Sequence, residues 1–241
     1  MKKFGLIGKS LSHSFSKIYF QNKFQEFNNG CSYYNFPLES LNDFKTLIQK
    51  FDLSGLNVTM PYKEAIIPYL NEISYDAKAI GAVNTIQFQK GKLIGHNTDH
   101  IGFHNSIKPF LEKTMERALI LGTGGASKAV VYSLKQIGIH SLCISRSPSD
   151  NQFSYDELNE FVIKHHLLIV NTTPVGTNPN IAECPNIPYQ FISEKHLLVD
   201  LVYNPEETLF LKKGKEKRAL ILNGKSMLIH QAEAAWKIWN S

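Results

Sequence analysis

The stretch "RALILGTGGASKAVVYSL", Arg117 to Leu134, decides the fold. "RALIL" is a short apolar strand, Gly122, Gly124 and Gly125 follow it at once, and a helix is expected from Ser127 to Ile137. Glycines permit a tight turn and a close backbone approach, and a helix N-terminus offers free N–H groups and a positive dipole end to a pyrophosphate. A glycine cluster alone is often no more than a turn. Here a strand precedes it, a helix follows, and a second strand, "SLCISR", arrives on schedule, so the unit reads as a dinucleotide-binding element.

The end of that second strand selects the cofactor. An Asp or Glu about 20 residues past the glycines would bind a ribose 2′-hydroxyl. This chain has Ser145, Arg146 and Ser147 there instead. An arginine stays charged and presents a planar fork of donors, which suits a 2′-phosphate. NADP is therefore expected, the bland alternative being a surface arginine in a loop.

Strand and helix signals alternate on both sides of this element. Downstream, "HLLIVNTTP" and "HLLVDLVYNP" are apolar enough for central parallel strands covered on both faces. Ser154 with Glu157 forms a capping box for a further helix. "RALILNG" closes the series, and Met227 to Trp239 is the last helix. Upstream, "KKFGLIG" is a strand, and Ser16 to Phe27 is a helix with Ile18, Phe20, Phe24 and Phe27 at helical spacing. "CSYYNFPL" is a strand, and "SLNDFKTLIQKF" is a helix with Leu41, Phe44, Leu47, Ile48 and Phe51 on one face. The strand in "LNVTMPYK", Leu56 to Lys63, breaks at Pro61 and leads into helical signals through Ala79. "AVNTIQF" and "KLIGHN" read as a hairpin. The expected architecture is α/β with two lobes and a boundary near residue 100.

Composition narrows the class. The 241 residues, 43% hydrophobic and 20% charged, suit a soluble globular protein with a sizeable core. No apolar run reaches the roughly 18 residues that span a bilayer. The N-terminal run stops at Gly8, too short for a signal-peptide core, so a cytoplasmic protein without a membrane partner is expected. Cys31, Cys143 and Cys184 are scattered, as reduced thiols would be. A net charge of +5 is mild, and "KKGKEKR" lacks aromatic residues, which favours a solvated helix end over a nucleic-acid surface.

His96, His100 and His104 stand four residues apart, a spacing that can hold zinc on one helix. "NTD" reads as a helix start with Thr98 or Asp99 as N-cap, which leaves His96 outside the helix. Two ligands do not close a site, so no metal is expected. Asp99 is either that cap or a carboxylate facing a cleft at the lobe boundary, where two-lobed α/β enzymes bind substrate. Lys63, taken alone, is an ordinary solvated charge.

The motifs "HSFS", "NVTMPYK", "GAVNT", "NTDHIGF", "LGTGGASKA", "NTTPVG", "DLVYNP" and "GKSMLIHQA" occur in this order. Together they resemble the shikimate dehydrogenase family over nearly the whole chain. The resemblance implies a substrate-binding, catalytic domain over 1–98, joined by the C-terminal helix 226–241, and a Rossmann-like NADP-binding domain over 99–225. It implies reversible reduction of 3-dehydroshikimate to shikimate with NADPH in aromatic amino-acid biosynthesis, by a monomer or homodimer.

By position, Lys63 and Asp99 match the family's catalytic pair. Ser14 and Ser16 match the hydroxyls that hold the substrate carboxylate, while Thr59, Asn84, Gln231 and Tyr203 match further substrate contacts. Gly122, Thr123, Gly124, Gly125 and Ala126, then Ser145, Arg146 and Ser147, then Thr172, Leu201, Gly224 and Met227 fall at cofactor positions. Each has a plainer reading. Ser16 could cap the first helix, Thr59 could be an ordinary strand residue, and Asn84 could satisfy a turn. Gln231 could be solvated, Leu201 and Met227 could be core, and Tyr203 could be an interior aromatic.

Two departures stand out. Lys17 replaces the family's usual proline, and Pro148 and Asp150 stand where a second basic residue usually follows Arg146. The missing second basic residue keeps a quinate/shikimate dehydrogenase that also uses NAD as a competing reading. A non-catalytic NADP-binding regulator on the same fold is the other, and it would be expected to lose the Lys63–Asp99 pair that this chain keeps. The short chain also implies trimmed Rossmann helices.

Overall fold

A computed structural model describes residues 2–11, 14–26 and 30–241. Phe27, expected on the apolar face of the first helix, and His13 of "HSFS" lie outside the described residues. The chain forms two compact units, Met1–Gly102 with Leu228–Ser241, and Phe103–Met227.

In chain order the first unit contains β1 (Lys3–Gly8), α1 (Phe15–Glu26), β2 (Ser32–Pro37), α2 (Phe44–Lys50), β3 (Gly55–Val58), α3 (Tyr62–Ala65), β4 (Glu72–Ile73), α4 (Tyr75–Ile80), β5 (Thr85–Gln89) and β6 (Lys92–His96). Among the described residues its strands form one sheet in the order β2-β1-β3-β5-β6-β4. β1 pairs in parallel with β2 and β3, while β3–β5 and β5–β6 are antiparallel. The hairpin turn uses Lys90 and Gly91 at φ 51° and 76°, the positive pair that matches strand twist.

Side-chain alternation along β1 separates two cores. Ile7 joins Leu56, Val58, Phe44 and Leu47 on one face, while Phe4 and Leu6 join Phe20, Phe24, Tyr33 and Trp239 on the other. Trp239 lies near the end of the last helix, described below. It stacks on Phe4 at 4.7 Å and donates from Nε1 to Ile86 O at 3.0 Å. Gly55 makes room for it: a Cβ there would stand 2.4 Å from the indole.

The chain enters the second unit within α5 (Asp99–Ile107). It continues through β7 (Arg117–Leu121), α6 (Gly125–Gln136), β8 (His140–Ser145), β9 (Gln152–Ser154), α7 (Glu160–His165), β10 (Leu168–Asn171), β11 (Leu197–Asp200), α8 (Leu209–Glu216) and β12 (Leu220–Leu222). It leaves within α9 (Lys225–Trp239). The described strands form a sheet in the order β12-β11-β10-β7-β8-β9 with every pair parallel. β10 and β11 are buried throughout, as their unbroken apolar sequences required. Ala118 and Ile120 of β7 face one core and Leu119 and Leu121 the other. Strand order reverses between β7 and β10, which puts the ligand crevice of such a fold outside the carboxyl ends of those strands. The described β10-to-β11 crossover holds only a 3-10 turn, at Tyr189–Phe191.

Several local expectations need correction. Ile18 is 63% exposed, so the buried stripe of α1 is carried by Phe20 and Phe24. The helical run to Ala79 is broken into α3 and α4, with a 3-10 turn at Ile67–Tyr69 and β4 between them. Pro68 lies in that turn, and Ser74 accepts from Ala77 N to start α4 afresh. The Ser154–Glu157 box is present, but it closes one 3-10 turn, and Asn159 caps α7 separately.

Trp239 combines a large buried ring with a satisfied N–H. Trp239→Ala should cost about 3–5 kcal/mol, read as a lowered midpoint in chemical denaturation. A loss below about 1 kcal/mol would contradict the anchoring of α9 to this sheet.

Candidate active site

Lys63 and Asp99 are drawn together inside the first unit. The Lys63 Nζ stands 2.7 Å from Asp99 Oδ2, with 17% and 8% of the two side chains exposed. α3 is only one turn long and is held from outside itself. The buried Tyr62 hydroxyl donates to Leu38 O at 2.6 Å, and Lys63 O accepts Val83 N at 2.7 Å. The second bond ties the lysine to the segment that leads into β5, next to Asn84.

Asp99 begins α5, yet it does not cap it. The expectation of Thr98 or Asp99 as N-cap side chain is overturned: Asn97 Oδ1 accepts Asp99 N at 3.0 Å and His100 N at 3.3 Å. Asn97 thereby fills the helix's first donors, and the Asp99 carboxylate is left for other partners. One partner is Lys63. The other is Asn84 Nδ2, which donates to Asp99 Oδ1 at 2.9 Å.

Asn84 satisfies no simple turn. It is 3% exposed, its Nδ2 also reaches Thr98 Oγ1 at 2.9 Å, and its Oδ1 accepts Thr98 N at 2.7 Å. Gln231 on α9 is 6% exposed rather than solvated, with Oε1 3.5 Å from both Asn84 Nδ2 and Thr98 Oγ1. Thr59 is half-buried; its N–H donates to Ile7 O at 2.9 Å and its methyl packs on Gly8. At α1 the capping hydroxyl is Ser14, which accepts Lys17 N at 3.3 Å. Ser16, the residue considered for that cap, lies inside the first turn.

His96 ends β6 while His100 and His104 lie on α5. Among the described residues no group of three or more His, Cys, Asp or Glu side chains could hold a metal.

Most of the candidate cofactor positions follow the carboxyl ends of strands in the second unit. Gly122 follows β7 with φ 105°, and a Cβ there would meet Thr172 Oγ1 at 2.9 Å. Thr172 follows β10 and donates from Oγ1 to Leu121 O at 2.7 Å, closing the switch point from the other side. Gly124 precedes α6, and among the described residues a Cβ on it would meet nothing within 4 Å. No internal contact requires that glycine, whereas a phosphate approaching the first N–H groups of α6, at Gly125, Ala126 and beyond, would need the space. Thr123 lies in the same turn. At the end of β8, Ser145 Oγ accepts Ser147 N at 3.2 Å and Arg146 is exposed with no acid in the "SRS" run. These residues fit a 2′-phosphorylated dinucleotide.

Leu201 and Gly224 touch: a Cβ on Gly224 would lie 2.2 Å from Leu201 O. Met227 is 7% exposed and packs in the core of the second unit. Tyr203 is 36% exposed, and partial burial raises its phenol above the usual range.

Sequence reasoning missed Asn97, whose asparagine signal was present in "NTD", and Asp200, the acid of "DLVYNP". Asp200 is fully buried, and its carboxylate accepts Asn171 Nδ2 at 2.9 Å, Val202 N at 3.0 Å and Thr208 Oγ1 at 2.6 Å. It thus pins the loop carrying Leu201 and Tyr203 to the end of β10.

One unit with a parallel sheet and a glycine turn at its switch point, and a second α/β unit with its own buried ion pair, make up the plan of a dinucleotide-dependent oxidoreductase. The family model "Shikimate dehydrogenase substrate binding domain" matches residues 6–86. A shikimate dehydrogenase (NADP(+)) of Clostridium botulinum is 39% identical, over 98% of this chain and 95% of the relative. The crystal structure of shikimate dehydrogenase from Aquifex aeolicus superposes with a TM-score of 0.89 at 36% identity, covering 100% of this chain and 92% of the other. That of the Thermus thermophilus enzyme, in complex with NADP(H) and shikimate, gives 0.88 at 30%, covering 99% and 93%. The chain belongs to the shikimate dehydrogenase family.

Burial pushes the Asp200 carboxyl up to about 6, against the pull of its three hydrogen bonds. The native carboxyl binds its proton more tightly than the unfolded one at 3.8, so its stability contribution is intact below that value and fades as pH rises through about 6. Wild type should therefore lose up to on the order of 3 kcal/mol relative to Asp200→Asn between about pH 4 and pH 7. Denaturation midpoints of the two proteins across that window check it, and a constant difference would refute it.

Proposed function

We propose that this protein is an NADP-dependent shikimate dehydrogenase that reduces 3-dehydroshikimate to shikimate, reversibly, in aromatic amino-acid biosynthesis. The observation that carries this reading is the 2.7 Å Lys63–Asp99 pair with Asn84 on its second oxygen. The first unit then supplies substrate chemistry and the second the dinucleotide site. The Cys31, Cys143 and Cys184 thiols suit a reducing, cytoplasmic setting.

NADP, when bound, supplies the hydride carrier. The chain's own residues handle the rest. Reducing a ketone builds negative charge on its oxygen, and a donor within hydrogen-bond reach lowers that barrier. Lys63 as an ammonium gives the proton to the C3 oxygen; in the reverse direction its neutral amine accepts it. Asp99 holds the lysine in place, and Asn84 holds Asp99. The Ser14 and Ser16 hydroxyls bind the substrate carboxylate, while Thr59, Asn84, Gln231 and Tyr203 bind the rest of the substrate. The glycine turn and α6 take the pyrophosphate, Arg146 takes the 2′-phosphate with Ser145 and Ser147, and Thr172, Leu201, Gly224 and Met227 line the remaining cofactor positions.

Lys63→Ala should lower kcat for shikimate oxidation by about 100-fold or more, with thermal unfolding and NADP binding little changed. Near-parental turnover would sink the assignment. Pro148 and Asp150 leave Arg146 as the sole cation of "SRSPSD", which keeps dual NADP and NAD use in play. Arg146→Ala should weaken NADPH at least about tenfold more than NADH in parallel titrations. Equal losses would remove the 2′-phosphate role.

A further inference from the structure

Tyr33 on β2 is a phenol, 2% exposed, that the proton chemistry above leaves unused. Its hydroxyl donates to Asn57 Oδ1 at 2.8 Å, and Asn57 is itself 3% exposed. That bond sets the direction of every bond after it. With Oδ1 accepting, Asn57 Nδ2 must face Asn84 O and Thr85 Oγ1, both at 3.2 Å. An amide N–H can only donate, so the Thr85 hydroxyl accepts there and turns its own proton to Asn84 Oδ1 at 3.1 Å. The Thr98 N–H converges on the same Oδ1. With its oxygen held by the Thr85 hydroxyl and the Thr98 N–H, and with the Thr98 hydroxyl within reach at 3.2 Å, Asn84 presents Nδ2 to Asp99. Burial raises the Tyr33 phenol far above the usual range, so the first donor keeps its proton at working pH.

We propose that Tyr33 is a positioning residue for the proton-transfer pair, fixing through Asn57 and Thr85 the amide orientation in which Asn84 donates to Asp99. The proposal rests on the dehydrogenase reading above. Without the phenolic proton, Asn57 is free to turn its amide, and its oxygen then competes for the Thr85 proton. Asn84 Oδ1 then loses the Thr85 donor and keeps only those of Thr98, and a turned Asn84 sets a carbonyl oxygen against the Asp99 carboxylate.

Tyr33→Phe removes the proton, together with the hydroxyl's bond to Ser16, and keeps the ring that stacks on Phe20 at 4.8 Å. It should lower kcat for shikimate oxidation about fivefold with the KM for NADP unchanged. Thr85→Val cuts the same relay further on and should show a similar loss, which Thr85→Ser restores. In the Tyr33→Phe/Thr85→Val double variant the losses should not multiply, because both act through one amide. A purely structural role would give losses that multiply, and that result overturns the proposal. So does a Tyr33→Phe enzyme within twofold of the parent. Parental kcat in Thr85→Val overturns it even where Tyr33→Phe does not fold. A parent protein that does not turn over shikimate with NADP at all would overturn the functional reading instead.

Discussion

An ammonium and a carboxylate held 2.7 Å apart with less than a fifth of either side chain exposed impose a demand on everything around them. Removing charges from water is costly unless their remaining hydrogen-bond capacity is filled. Asp99 meets the demand with Lys63 on one oxygen and Asn84 on the other. Asn84 meets it in turn with Thr98, Thr85 and, more distantly, Gln231. The first unit is arranged so that these groups arrive together. α3 delivers the lysine, the residue before β5 delivers Asn84, the first position of α5 delivers the aspartate, and α9 delivers the glutamine. An apolar replacement of Asn84 would strip one Asp99 oxygen of its donor and the Thr98 N–H of its acceptor, so the cluster depends most on that amide.

The position of Asp99 at a helix start poses a second problem. A carboxylate there is attracted by the helix's own free N–H groups and its dipole. Asn97 resolves the competition by bonding the first two donors itself. Helix capping and the ion pair therefore use different residues, two positions apart, and "NTD" encodes both tasks in three letters. Anchoring of α9 has the same logic at longer range. Trp239 fastens the helix to Ile86 and Phe4 through a hydrogen bond and a stacked ring, and Gln231 is carried to the polar cluster two turns earlier on the same helix.

What the sequence made legible was whatever repeats or sits in a fixed local frame. The glycine turn between strand and helix, the apolar runs of β10 and β11, and the hairpin of β5 and β6 follow from short-range periodicity, and each was found where expected. The ordered motifs brought Lys63, Asp99, Asn84 and Gln231 into one hypothesis, and the structure brings their side chains into one cluster. What stayed hidden depends on which of several adjacent polar groups takes a given bond. Thr98, Asp99 and Asn97 are all good caps, and only the fold decides that Thr98 and Asp99 are engaged elsewhere. Ser14 and Ser16 posed the same choice at α1. Ile18 fits a helical stripe on paper, but α1 turns Phe20 and Phe24 to the sheet and leaves it in water. Tyr33, Asn57 and Asp200 act through partners up to 29 residues away in sequence, and no local pattern marks such bonds.

The two units solve recognition by different means. In the second unit the candidate phosphate site is built from backbone N–H groups and from the absence of side chains, at Gly122 and Gly124. Such a site tolerates change in its neighbours, and in the proposed function its choice between two dinucleotides rests on the few side chains at the end of β8. In the first unit the candidate site is built from side chains whose donors and acceptors must all point one way. A backbone amide cannot be turned around, whereas the Asn84 amide can, and its two faces differ in shape hardly at all. Orientation there has to be imposed from outside, by groups whose own direction is not in question: the Thr98 N–H, which is fixed by the chain, and the Tyr33 phenol, which is fixed by burial. The buried polar residues beneath the Lys63–Asp99 pair are thus the means by which a symmetric-looking amide is made to present a donor to a carboxylate.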